Sequence, residues 1–526
     1  MAVASPPRLD RRRKLPVVRL VLGIVAVLVV AAVVVLLVYW PFREPDVKES
    51  LEEASSSGVT FKNFRSTYFP HPGCVAEDVI FRRGEGQGIP PLITVQKLTI
   101  QSSYLGLIAK RITRIRADGM HVFIPAQPIN EKFHSSSDVT IGELLADNST
   151  LQFESHVPSK APTTFAVHEF ALRGIGVGRA VSFHVKLSNP DPPGEITANG
   201  KLGPWRLKQT NDTPVSGEYT FENAKLAALG GVAGLLSSKG QFSGTIARIA
   251  VRGNTDTPDF LVSDSSHKVD LKVAFDAFVS ARSGDVQLNS IESRFWNTKV
   301  LWSGSVARQG SSKGRVADLQ MHSETGRIED LLRLFITAQK SPMTGVTSFK
   351  AHILLPSGNG PFLKKIQLQG DFGVDSGEFT KHETQKDVNK LSAEARSENP
   401  QDGATALSDL KGRVVLKDGL ATFNYLSFTV PGAFAIMQGN YDLISERINL
   451  HGVLRLNSSL SNLASGPRSL LLKVLQPFFK RKSKGSKVAF KITGVYEHPS
   501  IGVDLTGQKE NSTTRRLRRL YQKPTK

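Results

Sequence analysis

From Val59 onward the chain reads as one short strand after another, with little between them long enough to be a crossover helix. The runs "VTFKNFRS", "LITVQKLTIQ", "MHVFIP", "FAVHEFALRG", "VSFHVKL", "VDLKVAFDAFVS" and "FKAHILLP" are rich in β-branched and aromatic residues. Clusters of Gly, Pro, Asn, Asp and Ser bound them, which is turn chemistry. Strands joined by short connections pair antiparallel, so the expected class is mainly β. On the order of 25 strands are expected, and as one sheet at about 4.8 Å per strand they would extend roughly 120 Å. A sheet of that length must twist, curl or split. Loose loops are expected at "NPDPPGE" (Asn189–Glu195) and "SENPQDGA" (Ser397–Ala404).

Within strands the residues alternate with period two. In "RINLHGVLRL", Ile448, Leu450, Gly452, Leu454 and Leu456 interleave with Arg447, Asn449, His451, Val453 and Arg455. In the last long strand Val488, Phe490, Ile492 and Gly494 interleave with Lys487, Ala489, Lys491 and Thr493. Such strands have one greasy face and one mostly polar face. Alternation alone fits a closed β-sandwich core and an open apolar trough equally well.

A few segments have helical spacing instead. A short helix is expected in "DVKESLEEASSS", another in "SYLGLIAKR", and a third in "GRIEDLLRLFITAQK" with Ile328, Leu331, Leu332 and Phe335 on one face. "AKLAALGGVAGLLSS" (Ala224–Ser238) has helical apolar spacing but too many glycines for a stable solitary helix.

The N-terminus bears on location. Residues 20–40, "LVLGIVAVLVVAAVVVLLVYW", hold no charge, and as a helix they would be roughly 31 Å long, the thickness of bilayer hydrocarbon. "RLDRRRK" precedes them, and Tyr39 and Trp40 stand at the far interface, which orients the span N-in, C-out. The apolar run exceeds that of a cleaved signal peptide, and no small-x-small site follows Trp40, so an uncleaved single-pass anchor is expected. The expected divisions are a basic N-terminus at 1–15, the anchor at 16–40, an exported β-rich body at 41–408, a C-terminal region at 409–508 and a basic tail at 509–526.

The formal net charge is +20, which suits acidic partners such as anionic lipid headgroups. One cysteine, Cys74, excludes an intramolecular disulfide and a cysteine-based metal cluster. The histidines, among them His71, His121, His168 and His184, have no zinc-like spacing. No Gly-x-Ser-x-Gly elbow or P-loop occurs, so no enzyme, cofactor or metal is expected. Nor is nucleic acid an expected partner, since the anchor exports the body and no recognition motif is present.

Several motifs resemble the AsmA-like (AsmA/TamB-type) proteins. They are "VPGAFAIMQGNYDL", "INLHGVLRL", "LLLKVLQPFFKR" and "ITGVYEHPSIGVDL", with "TPDFLV", "GRIEDLLRL", "KDVNKLSAEAR", "FPHPGCVAEDVIF" and "ITRIRADGMHVFIP" upstream. The resemblance implies an N-terminal transmembrane helix followed by a long, curled antiparallel β-sheet groove with a few short helical inserts. It implies a bacterial inner-membrane anchor, with N-terminus cytoplasmic and body periplasmic. The implied role is phospholipid transfer between inner and outer membranes and outer-membrane assembly, with no catalytic set. Candidate groove-lining residues are then Ile448, Leu450, Leu454, Leu456, Val488, Phe490 and Ile492. On that reading Leu450→Asp with Ile492→Asp is expected to abolish lipid occupancy in a folded body.

"PRSLLLKVLQPFFKRKSKGSK" (Pro467–Lys487) is basic and amphipathic. Its candidate membrane-interface residues are Leu471, Lys473, Val474, Leu475, Phe478, Phe479, Lys480, Arg481 and Lys482, with Pro477 expected to kink or stop the helix. The expected partners are phospholipids, membrane and other envelope proteins. The alternative reading is a non-enzymatic envelope scaffold that binds other envelope proteins through exposed sheet edges.

Overall fold

The computed structural model describes residues 40–55, 57–82, 91–125, 139–154, 162–176, 178–204, 210–262, 265–281, 283–308, 315–336, 339–357, 360–396, 398, 405–456, 487–495 and 498–504. Among them, strands dominate and helices are few and short, so the chain is mainly β. No helix among the described residues is long and apolar enough to cross a membrane. The expected anchor lies, apart from Trp40, outside those residues, as do the candidate interface residues between 467 and 486. The chain divides into two units, residues 1–154 with 169–177, and residues 155–168 with 178–526.

The first unit opens with helix α1 (Glu44–Ser55), which buries Val47. Strands β1 (Gly58–Thr60), β2 (Asn63–Thr67), β3 (Gly73–Arg82), β4 (Ile93–Ser102), β5 (Arg111–Ile124) and β6 (Thr140–Phe153) follow, with helix α2 (Tyr104–Ile108) before β5. Strand β7 (Thr163–Ile175) is divided between the units at His168 and Glu169. The core lies on the face covered by α1, where Trp40, Phe42, Val47, Val59, Cys74, Val79, Leu98, Ile100 and Ala146 are buried together.

Trp40 is 2% exposed within this core, and its ring lies 4.6 Å from that of Tyr68. One expectation is corrected here. Strands β5 and β6 pair parallel, Arg111 opposite Thr140 and Ile124 opposite Phe153, against the wholly antiparallel expectation. The length of the connection, residues 125–139, permits this, because fifteen residues extend at most about 50 Å and the return along a fourteen-residue strand needs about 46 Å.

Burial also decides the chemistry of the single cysteine. Desolvation pushes the Cys74 thiol up to about 12, so at pH 8 the nucleophilic thiolate is scarce. Native chain is therefore expected to stay unlabelled by a maleimide over a time in which denatured chain reacts completely. Rapid labelling of native chain counts against the packing around β3.

The second unit is an antiparallel ladder. Its strands are β8 (Val181–Pro190), β9 (Pro193–Leu202), β10 (Pro214–Lys225), β11 (Val232–Ala233), β12 (Leu235–Thr245), β13 (Arg248–Val262), β14 (Val269–Val279), β15 (Val286–Phe295) and β16 (Thr298–Arg308). They continue with β17 (Arg315–Arg327), β18 (Met343–Leu355), β19 (Gln367–Phe379), β20 (Ser408–Lys417), β21 (Leu420–Val430), β22 (Ala433–Asp442), β23 (Arg447–Leu456), β24 (Lys487–Val495) and β25 (His498–Val503). Strand β11 is a short addition beside the end of β13, and the other seventeen pair in chain order. Sixteen steps of about 4.8 Å make this ladder about 77 Å long in the hydrogen-bonding direction.

The turns follow from their residues. Asp418 (φ 53°) and Gly419 (φ 80°) form the two-residue hairpin between β20 and β21, where both central positions need positive φ. "NPDPPGE", expected to be loose, is a tight hairpin between β8 and β9, with Asn189 donating from its side chain to the Pro192 carbonyl at 2.8 Å. "AKLAALGGVAGLLSS" is a 3-10 turn at Leu226–Leu229 running into β11 and β12, since its glycines serve turns better than a helix. The third expected helix is shorter than its pattern: α3 spans Ile328–Arg333, Phe335 is 52% exposed, and Leu331 and Leu334 pack on the sheet. Helix α4 (Phe362–Lys365) is a single turn, and α5 (His382–Arg396) is the longest helix described in this unit.

The ladder is curled. A methyl group placed on Gly231 would come within 2.6 Å of Phe362 Cβ, so the turn after β10 lies against α4, which follows β18. Seven ladder steps separate β10 from β18, at least about 34 Å on a flat sheet. Twist and coil of the sheet, with the two connections reaching across it, bring them together.

Candidate functional site

Register carries the site. One row of facing residues runs across the second unit as Phe183, Gly200, Gly217, Phe242, Val251, Ala277, Leu288 and Gly304. It continues through Leu319, Ile353, Leu368, Leu416, Ala421, Tyr441, Ile448 and Gly494 to Pro499. No residue in that row is charged. The adjacent row reads His184, Asn199, Glu218, Gln241, Arg252, Asp276, Ser290. A register slip of one residue anywhere would exchange the two faces, so the alternation and the ladder specify each other.

Aromatic rings smooth the apolar face. The Phe183 ring lies over Gly200, Phe242 over Gly217, Tyr219 over Gly240 and Phe275 over Gly253, each within 3 Å of where a Cβ would stand. Farther along, Phe372 covers Gly412 and Phe490 covers Gly452 in the same way. Glycine leaves room on one strand for a ring rooted in the next, which covers backbone that would otherwise be exposed and favours a tight bend.

The reverse face is a lattice of ion pairs. Arg252 meets Asp276 at 2.6 Å, Lys299 meets Glu292 at 2.6 Å, and Arg413 holds Asp371 through two bonds at 2.7 and 3.0 Å. Asp276 is held below the usual carboxylate range by the Asn289 side-chain amide and then by Arg252. Glu292 is held low by hydrogen bonds from Lys299 and Arg294. The cations are exposed and these two carboxylates half-buried, so the pairs contribute little to stability. They mark this face as the wetted one. A depression of about 720 Å³ among Glu222, Lys239, Asp256, Lys272 and Arg294 belongs to it and has no convergent chemistry. Among the described residues, no group of three His, Cys, Asp or Glu could hold a metal ion.

Cover over the apolar face is uneven. Along β8, β9 and β12, Val181, Phe183, Val185, Leu187, Ile196, Leu202, Leu236 and Phe242 are all half-buried and none is fully buried. Helix α3 lays Leu331 and Leu334 against one end of the face at β14–β18, beside Val269, Phe295, Val300 and Trp302. Asp330, 3% exposed, helps to hold it there, accepting from the Asn297 amide at 2.9 Å and the Thr298 hydroxyl at 2.8 Å. Helix α5 closes the face more completely. Its Val388, Leu391 and Ala395 join Val430, Ala433, Ala435, Leu454, Leu456, Val488 and Phe490 in one core.

That cover sorts the sequence candidates. All seven lie on the apolar side of β23 and β24, with Leu450 opposite Ile492 and Leu454 opposite Val488. Leu454, Leu456, Val488 and Phe490 are core residues, with Leu450 and Ile492 packed against them, while Ile448 is half-buried. A charge pair at 450 and 492 therefore adjoins a protein core, and the open residues lie earlier in the chain. The strands before β23 carry no lining candidate because helical cover, which no strand encodes, is what distinguishes the more open part of the face from the roofed part.

No family model, curated protein or solved structure matches the chain.

Proposed function

We propose that this protein binds lipid acyl chains along the apolar face of β8–β18, as an inner-membrane-anchored periplasmic protein of the AsmA-like kind. Its work would be phospholipid transfer between inner and outer membranes and outer-membrane assembly. One observation supports the reading: an uncharged register row across seventeen strands, much of it only half-buried along β8–β15 among the described residues. Monomeric proteins rarely leave apolar surface of that extent uncovered without a use for it. Transferring a C16 chain from water to such a surface is favourable by more than about 10 kcal/mol at about 0.8 kcal/mol per CH₂. The headgroup needs no pocket, because an open trough leaves it in water.

The test is photo-crosslinking in cells labelled with radioactive phosphate. Benzoylphenylalanine at Phe242, on the apolar face, is expected to trap phospholipid, and at Gln241, on the wetted face, to trap none. Equal trapping at the two positions, or protein adducts at Phe242 in place of lipid, sinks the reading. Protein adducts would favour an envelope scaffold.

A further inference from the structure

The first unit carries an apolar patch that its own core does not use. Phe69 is 86% exposed, Leu105 80% and Ile108 85%, with Tyr68 and Tyr104 partly exposed beside them. These residues form one surface: Tyr104 donates from its hydroxyl to the Tyr68 carbonyl at 2.5 Å, and Phe69 follows Tyr68 in the chain. Helix α2 is held from beneath by Leu107, which packs on the core, and by Gly106, where a Cβ would stand 2.7 Å from the Arg111 carbonyl oxygen. That anchorage turns Leu105 and Ile108 outward. Exposed Lys110 and Arg111 come directly after them.

Where the chain enters this unit identifies the occupant. The uncharged stretch of residues 20–40 ends at Trp40, whose ring lies 4.6 Å from that of Tyr68 at the patch margin. A membrane-spanning helix that ends there delivers its bilayer to Tyr68 and its neighbours. Aromatic and aliphatic side chains with flanking cations are the composition that partitions into a headgroup boundary. We propose that Phe69, Leu105 and Ile108 insert into the bilayer surface from which residues 20–40 emerge, so that the first unit is seated on the membrane and not merely tethered to it. This rests on the anchor reading of residues 20–40 and is independent of acyl-chain binding by the second unit.

The experiment uses full-length chain reconstituted in vesicles of phosphatidylcholine and phosphatidylglycerol. Leu105→Cys, Ile108→Cys and Lys97→Cys are each labelled with an environment-sensitive fluorophore. Cys74, buried, stays unlabelled, and all three new positions are exposed on the folded chain. Spin-labelled lipids are expected to quench the fluorophore at 105 and 108 about threefold or more above that at 97, with blue-shifted emission. Equal quenching at the three positions overturns the proposal. So does a blue shift without lipid quenching, which means that protein covers the patch. Failure of the chain to float with the vesicles removes the anchor and the proposal with it, while leaving crosslinking at Phe242 as a separate question.

Discussion

With Val251→Asp and Leu288→Asp combined, phospholipid trapped at Phe242 is expected to fall more than about tenfold, which corresponds to a loss of only about 1.4 kcal/mol in binding. Both residues belong to the apolar register row, and both are half-buried. A carboxylate at a half-buried position keeps much of its hydration, so folding is little affected. An acyl chain passing over it must strip that hydration, which costs several kcal/mol without a compensating partner. Far-ultraviolet circular dichroism and limited proteolysis establish folding, and crosslink yield reports occupancy. Undiminished trapping in a folded variant means that the row is not the lipid path. Unfolding would mean that the face is closed over its own core, and that also defeats the reading.

Leu454→Asp has the opposite expected signature: loss of structure in β22–β24 whatever lipid is present. Leu454 is 5% exposed, stands opposite Val488 at 1% and Ala435 at 3%, and shares a core with Val388 and Leu391 of α5. The substitution removes about 2–3 kcal/mol of side-chain burial and adds the cost of an unpaired carboxyl, more than about 4 kcal/mol together. The sign with pH is fixed by burial. The introduced carboxyl has a raised folded-state pKa, so the damage is least where it is protonated and grows as pH rises. Hydrogen exchange at neutral pH is expected to show lost protection in β22–β24. A melting temperature within about 2 °C of the parent shows instead that this end of the face is open like the rest.

The two variants place the same residue type on the same face, and the difference between them lies in what covers it. Much of this was legible beforehand. Strands occupy the runs from "VTFKNFRS" to "FKAHILLP", and the face shared by Ile448, Leu450, Leu454 and Leu456 is the one expected. The parallel β5–β6 pair was not legible, because residues 125–139 look like any other connection until their length is set against the strand they return along. Helix α5 was missed although Val388, Leu391 and Ala395 recur with helical spacing. Charged and polar residues crowd around them and leave only a thin apolar stripe, which is decisive only where a sheet offers the complementary surface.

Side-chain direction along a strand is a local property of the extended backbone, so the sequence by itself determined which residues share a face and that one of the two faces is apolar. Whether that apolar face is core or surface is a non-local matter. It depends on curl, which brings Gly231 against Phe362, and on where α3 and α5 settle. The tertiary structure alone decided that β21–β24 are roofed and that, among the described residues, the apolar side chains of β8, β9 and β12 are only half-buried, because burial is a relation between elements distant in the chain and period-two alternation is identical under both.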